Sequence, residues 1–372
     1  MIRIILKLFF FSKWVFTKPQ KKDVLIYDAN TLNSNFVKYL FANKKYEIIH
    51  TRYEKINFYV IFFVLFKIGF KNIVENYKRI YFQYVSPKII YTSMDYRTEF
   101  YKLKNIYPLA TYISDQRGIS KVVNASWPNK FYWDIKSYNK NNKKKAYADI
   151  LFVFGSNERE RLKNIINGKY YVLGNTKNNA YKLSIKIKKK KEITYICSGL
   201  WQPSWDRQCR TFKLINKYCE SKNIKLNFIP KNKLGSLTEK NFDEQYYRKK
   251  LGGGSWNFIN HRHTDVYKFL MSQELVLFAH SSLGYEVMAH GIKVAVFSNY
   301  FPEKMSSKMY NDNGPFWTSK EDFISISKMI KKIFKMKKKD WSKVYKKFSY
   351  EIMNLDKDNL QKKKIIRDIL KK

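Results

Sequence analysis

The sequence predicts an α/β chain with two doubly wound domains facing a cleft. Three observations carry that expectation. Short apolar, β-rich runs alternate with helix-length segments along the chain. They form two successive series, divided by the lysine-rich segment 186–192. The length, 372 residues, suits two domains, and 13 Gly and 8 Pro are too few for a turn-dense all-β chain.

The elements follow in order. In the first series, strands are expected at Asp23–Asp28, Tyr46–Thr51, Lys88–Ser93, Leu109–Ile113 and Asp149–Phe154. Helix-length pieces separate them at Asn33–Asn43, Asn57–Tyr84 and Asn157–Asn167. The second series places strands at Ile193–Cys197, Lys225–Ile229, Trp256–Ile259, Glu274–Ala279 and Lys293–Ser298. Its helices are expected near Asp206–Ser221, Glu244–Leu251, Val266–Ser272 and Gly284–His290. Near-continuous apolar strands mark a parallel sheet covered on both faces. The expected division is an N-terminal amphipathic segment 1–22, domains 23–190 and 191–327, and a basic helical tail 328–372. No solenoid-period repeat interrupts this pattern.

Charge is the most extreme feature: 73 Lys and Arg against 30 Asp and Glu, a formal +43. Such a field attracts nucleic acid, acidic membrane and sugar nucleotides alike. Enrichment in Lys, Asn, Ile, Tyr and Phe together accounts for much of it as compositional drift. From Lys328 to Lys372, however, 17 basic residues face 5 acidic ones and interleave with apolar pairs such as Met329-Ile330 and Ile365-Ile366. That pattern predicts basic amphipathic helices suited to an anionic membrane surface. At the N-terminus, Arg3, Lys7 and Lys13 share a helical arc of roughly 120° within an apolar run that has no small-residue cleavage site. An in-plane interfacial helix and a helix packed on the protein's own core both fit. The run Phe58–Phe66 is too short to span a bilayer and suits a helix covering a sheet, with a membrane contact as the other use. Cys197, Cys209 and Cys219 form no disulfide framework, and a reduced cytoplasmic setting is expected.

Motifs narrow the chemistry. The chain contains neither GxGxxG after the first strand nor GxxxxGK[ST], so these dinucleotide and P-loop sites are not expected. His261 and His263 lack further clustered ligands, and no metal is expected. Asp356 and Asp358 form a DxD pair read as surface charge. The most informative stretch is FAHSSLGYEVMAHGIKVAVFS, residues 278–298. Here Ser281, Ser282 and Gly284 sit where a strand gives way to a helix, whose N-terminal amides can hold an anion. Glu286, inside that helix, can accept from ribose hydroxyls. The competing reading makes Ser281 a plain helix cap and Glu286 part of a capping pattern. Lys231 follows a strand ending at Pro230, where ligands bind in open sheets. Asp95 and Asp115, the latter near Arg117, end two neighbouring strands and can serve as base or nucleophile, or as turn and cap residues.

In order, DVLIYD, YEIIHTRYEKIN, YTSMDY, ISDQRG, LGNTKNN, FIPK, HSSLGYEVMAHGIKVAVFS and GPFWTS resemble the surface carbohydrate biosynthesis family of bacterial glycosyltransferases. The resemblance runs from about Lys18 to Phe323 and is most specific at SSLGYE and GPFWT. More distantly, the lysine-bearing strand end and paired serines are similar to motifs of bacterial sialyltransferases and CMP-Kdo transferases. It implies a GT-B architecture of two Rossmann-like domains, with the donor on the second, the acceptor on the first, and no metal or other cofactor. Carried over, it places Ser281, Ser282, Gly284 and Lys231 near the donor phosphate and Glu286 near the ribose. Asp95, Asp115 and Arg117 then face the acceptor and reacting carbon. The chain departs from the sialyltransferase His-Pro pattern, reading Ile229-Pro230, which leaves the leaving-group acid to His280 or His261.

These readings converge on a glycosyltransferase of surface polysaccharide assembly. It is expected at the inner face of the cytoplasmic membrane, taking a nucleotide-sugar donor, with a CMP-activated acidic sugar favoured. The acceptor is a glycan or lipid-linked saccharide, the second partner is an anionic membrane surface, and no specific nucleic acid is involved. Two alternatives stand beside it: a CDP-polyol phosphotransferase of the teichoic-acid type, and a non-enzymatic basic protein binding nucleic acid or anionic lipid.

Overall fold

The structure is a computed structural model that describes residues 12–52, 54–118, 128–181, 190–197, 204–231, 244–259, 264–279, 281–297 and 313–371. Residues 1–11 of the expected N-terminal helical segment 1–22, most of the lysine-rich divider, and His261, His263 and His280 lie outside the described residues; Lys13–Val15 of that segment form a strand rather than a helix. The chain forms two compact units. One takes the described residues up to Gly118, those of the stretch ending at Ala180, and those from Asp356 onward. The other takes those from Tyr181 to Leu355.

In the first unit, a small parallel pair joins β1 (Lys13–Val15) and β4 (Lys55–Asn57). The main sheet contains β2 (Val24–Tyr27), β3 (Tyr46–Ile49), β5 (Ile89–Thr92), β6 (Thr111–Asp115), β7 (Tyr147–Val153) and β8 (Asn167–Val172). All pairings are parallel, in the order β3-β2-β5-β6-β7-β8. Its helices are α1 (Phe36–Phe41), α2 (Phe58–Lys67), α3 (Ile73–Val85), α4 (Pro128–Asn141), α5 (Ser156–Leu162) and α6 (Thr176–Asn179). Alternate residues along each strand feed two cores. Leu25, Ile90, Tyr112 and Leu151 belong to one; Ile26, Ile89, Ile113 and Phe152 belong to the other. This two-sided burial explains why the strands read as unbroken apolar runs.

The second unit carries β9 (Lys190–Ile196), β10 (Leu226–Ile229), β11 (Asn257–Phe258), β12 (Gln273–Phe278), β13 (Lys293–Phe297) and β14 (Trp317–Thr318). They pair in parallel in the order β11-β10-β9-β12-β13-β14. Its helices are α7 (Ser204–Ser221), α8 (Glu244–Leu251), α9 (Val266–Met271), α10 (Ser282–Ala289), α11 (Phe323–Lys335) and α12 (Lys338–Ile352). Counted by chain position within the sheet, the order is 3-2-1-4-5-6, the dinucleotide-fold arrangement whose switch point lies between β9 and β12.

The structure divides the expected tail. In α11, Ile326, Met329, Ile330 and Ile333 recur at helical spacing and are buried in the second unit. Trp341 of α12 is buried as well, and its indole donates to the Gly291 carbonyl at 3.0 Å. The last helix, α13 (Leu360–Lys371), belongs instead to the first unit, where Ile366 joins a core cluster. The apolar stripes therefore face the protein's own sheets, and the outward charge is only the remaining face. Asp356 is likewise buried: its carboxylate accepts from the Gln361 and Lys362 amides at the start of α13. It caps a helix rather than decorating the surface.

Candidate functional sites

In the second unit, β12 leads through Ala279 into α10, beside the switch point. Ser281 occupies the N-cap in extended backbone (φ −144°, ψ 127°), yet its side chain makes no capping hydrogen bond. The plain-cap reading of this serine therefore fails: the hydroxyl is left for another partner. Ser281 and Ser282 are both partly exposed. Lys231 is exposed just beyond the carboxyl end of β10, which pairs with β9. Hydroxyls, the first amides of an eight-residue helix and a strand-end lysine are thus carried on one edge of one sheet. Each is suited to negative charge.

Two other expected donor residues face inward. A Cβ on Gly284 would come within 2.3 Å of the Phe278 ring, so glycine at this position lets α10 pack against the end of β12. Glu286 is buried and accepts a hydrogen bond from the Tyr267 hydroxyl. The Tyr267 ring stacks on Tyr181 at 5.3 Å, and Tyr181 meets His290 edge-on at 6.4 Å. Glu286 joins α9 to α10 through this bond. This bond engages one carboxylate oxygen, Oε2, in the packing between the helices, a contact the ribose-facing expectation did not include.

In the first unit, Asp95 lies three residues beyond β5. Its Oδ1 accepts from the Arg117 amide at 3.2 Å, and its carbonyl accepts from the Tyr101 hydroxyl at 2.7 Å. Burial raises its pKa to about 7; the charges of Glu158 and Asp115 add to the rise, and the Arg117 amide opposes it. A carboxylate so tuned changes protonation near neutrality, which suits a general base. Arg117 is exposed, with a guanidinium nitrogen 3.2 Å from Met94 Sδ. The structure thus joins Asp95 to the Arg117 backbone amide, where the sequence set Arg117 beside Asp115.

Asp115 has a different role. It is fully buried and ion-paired to Lys362 of α13 at 2.8 Å. It also accepts from Thr176 Oγ1 at 2.6 Å and the Tyr91 hydroxyl at 3.0 Å. Lys362 donates as well to the Gly174 carbonyl at 2.9 Å, while burial pulls its pKa below the usual lysine value against the opposing pull of Asp115. Both Asp115 oxygens are engaged, so this acid anchors the final helix and does not face a substrate. Sequence spacing gave the two acids equal standing because it does not show which would meet a lysine 247 positions away.

Sequence reasoning missed Asp28, the residue ending β2. It is fully buried with a left-handed backbone (φ 73°, ψ 117°), strained for a residue bearing a Cβ. Its Oδ1 accepts from the Asn30 amide at 2.9 Å, whereas Oδ2 has no hydrogen-bond partner. Arg52 Nε and Arg97 Nε each lie 3.7 Å from Oδ2, and both side chains are partly exposed. The sheet order 2-1-3-4-5-6 puts its switch point between β2 and β5, the strands that precede this trio and Asp95. The available signal was an acid closing the first strand.

Residues 200–370, less than half the chain, match a family model described as "putative O-antigen biosynthesis protein". No curated protein matches the sequence. Among solved structures, a "putative UDP-N-acetylglucosamine 2-epimerase" from Listeria monocytogenes is similar at TM-score 0.53 and 13% identity, over 94% of this chain and 96% of that one. The wall teichoic acid polymerase TagF, as a histidine variant, is similar at TM-score 0.52 and 11% identity, over 95% and 89% of the two chains. A TagF structure soaked with CDPG gives TM-score 0.50 at 11% identity, with the same shares covered. At such identities the likeness is one of fold, and it bears out the GT-B class of two Rossmann-like units. The family match supports a part in surface-carbohydrate biosynthesis.

Proposed function

We propose that the chain is a glycosyltransferase of surface polysaccharide assembly that takes a nucleotide-activated sugar. The observation that carries this reading is the uncapped Ser281 hydroxyl, with Ser282 next to it, at the switch-point turn of a 3-2-1-4-5-6 sheet. The O-antigen family match spans this turn and Lys231. The acceptor hydroxyl attacks the anomeric carbon as the bond from that carbon to the nucleotide phosphate oxygen breaks. Asp95 takes the hydroxyl proton, and the nucleotide leaves with the bonding pair. Because charge grows on the phosphate during this step, the α10 amides, the two serines and Lys231 stabilise the transition state more than the bound donor. Asp28, Arg52 and Arg97 offer the acceptor a carboxylate oxygen and guanidinium donors on the first unit.

A thermal-shift panel of CMP, CDP, UDP, UMP, GDP and ADP, with and without magnesium, tests the donor half. Saturation at 100 times the dissociation constant stabilises the folded state by about 2.7 kcal/mol. Stabilisation by one nucleotide that Ser282→Ala removes supports the reading, and a cytidine preference supports a CMP-sugar donor. No response to any nucleotide overturns the donor site and favours a basic binding protein. One second reading, a CDP-polyol phosphotransferase, is compatible with the fold likeness to TagF. Phosphorus in the transferred group would identify that reaction, because a glycosyltransferase leaves all phosphorus of the donor on the released nucleotide.

A further inference from the structure

The first unit carries an aromatic surface that its own core does not use. Helix α2 is apolar on both sides. Val60 and Val64 are fully buried, while Phe62 and Phe66, on the opposite side, are 59% and 74% exposed with their rings stacked at 6.1 Å. In the turn after α2, Phe70 is 82% exposed, and just past β1 the exposed Phe16 packs on Phe58 of α2 at 5.3 Å. Single exposed apolar residues are ordinary on protein surfaces; a run of exposed phenylalanines on consecutive elements calls for a partner.

Its charge indicates which partner. Residues 12–22 and 55–74 contain seven lysines and no carboxylate, in the sequence segments that carry the phenylalanines. Lys67 Nζ lies 5.5 Å from the Phe66 ring centroid, so its stem follows the apolar surface while its charge stays at the rim. Aromatic side chains bordered by lysines suit the headgroup–acyl boundary of an anionic bilayer. The ten-residue α2 is about 15 Å long, too short to cross a bilayer, so it would lie in the interface plane.

We propose that this face, formed by Phe16, Phe62, Phe66 and Phe70 with its lysine rim, docks the enzyme on an anionic lipid bilayer. The basic C-terminal helices, whose apolar stripes are buried, contribute only long-range attraction. The inference stands apart from the transferase reading, since vesicle binding and nucleotide stabilisation are separate measurements.

The test is flotation of the full chain with phosphatidylcholine vesicles, with and without phosphatidylglycerol, at low and high salt. The wild type is expected to float with the anionic vesicles and less so as salt rises. Replacing Phe62, Phe66 and Phe70 with Ser should weaken partitioning by at least about tenfold, from lost apolar burial. The melting temperature and the nucleotide response should hold, because these side chains are exposed. A second variant pair, Lys67→Glu with Lys71→Glu, should remove the preference for anionic over neutral lipid. Unchanged flotation of the serine variant overturns the proposal. So does a wild-type dimer in light scattering that the same variant turns into a monomer, which would make a second copy the occupant. Loss of flotation only on removing residues 1–11 also overturns it.

Discussion

The two sheets present opposite chemistry at their carboxyl edges. In the first unit, Asp28, Asp95 and Asp115 stand at or just beyond the ends of β2, β5 and β6, with arginines and a lysine gathered around them. In the second, the ends of β10 and β12 lead to Lys231 and to paired serines at a helix start. The chain as a whole is strongly cationic, yet carboxylates gather at the edge of one sheet and hydroxyls with a lysine at the edge of the other. Net charge therefore says little about the site; the residue that closes each strand says more. Within the acidic edge there is a second contrast. Asp115 is satisfied on both oxygens, Asp95 is poised near neutrality, and Asp28 keeps one oxygen without a hydrogen bond, held only by two arginines at 3.7 Å.

The largest expected effect breaks the first unit's anchor. Lys362→Ala leaves the buried Asp115 without its countercharge and should cost about 3–5 kcal/mol in a urea melt. Pairing Lys362→Met with Asp115→Asn should recover most of that loss, because no unpaired charge then stays buried. A silent single substitution would end the distinction drawn between Asp115 and Asp95.

Next comes Asp95→Asn, which should lower turnover by about 10²–10³-fold through loss of the general base. With Asp95 intact, the rate should rise with pH through about 7 as the carboxylate ionises. Stability should run the other way. The folded pKa lies above the unfolded value, so the native state holds the extra proton between about pH 4 and 7 and loses stability as pH rises across that window. Asp95→Asn should therefore raise stability at pH 8 by about 2 kcal/mol, with allowance for local relaxation, and little at pH 4. A flat rate profile with a flat stability profile would remove Asp95 from the chemistry.

The smallest effect sharpens the other edge. Ser281→Ala with Ser282→Ala should weaken nucleotide binding about tenfold, roughly 1.4 kcal/mol. It should leave the melting temperature nearly unchanged, because Ser281 makes no side-chain cap bond. A serine that served only as a cap would give the reverse pattern, a loss of about 1 kcal/mol in stability with binding intact.

Most strands of both sheets were legible because burial on two faces forces continuous apolar runs. The strands that escaped were short or polar. β8 opens with Asn167, Gly168 and Lys169, and β14 has only two residues. The segment Asn57–Tyr84 was expected as one helix and forms two, parted where Gly69 takes a φ of +86°. At the site, the turn around Ser281 could be placed because strand, hydroxyl and helix follow one another in the chain. The partners of Asp115 and Glu286, Lys362 and Tyr267, could not be read from spacing, since they are set by tertiary packing. Asp28 was hidden for another reason: its distinguishing feature is a backbone angle, which residue type does not encode.

The pairing of Lys362 with Asp115 also sets an order of events during synthesis. The first unit's sheet emerges early from the ribosome, but the helix that covers one face and neutralises its buried acid is made only after the second unit. At roughly 5–20 residues per second, that interval is on the order of ten to thirty-five seconds. Throughout it, the early sheet carries a buried carboxylate without its lysine, and the core that Phe36, Val37 and Phe41 cover lacks Ile366. The earlier of the two units is thus finished after the later one, and a nonsense mutation just before Leu360 would leave it incomplete.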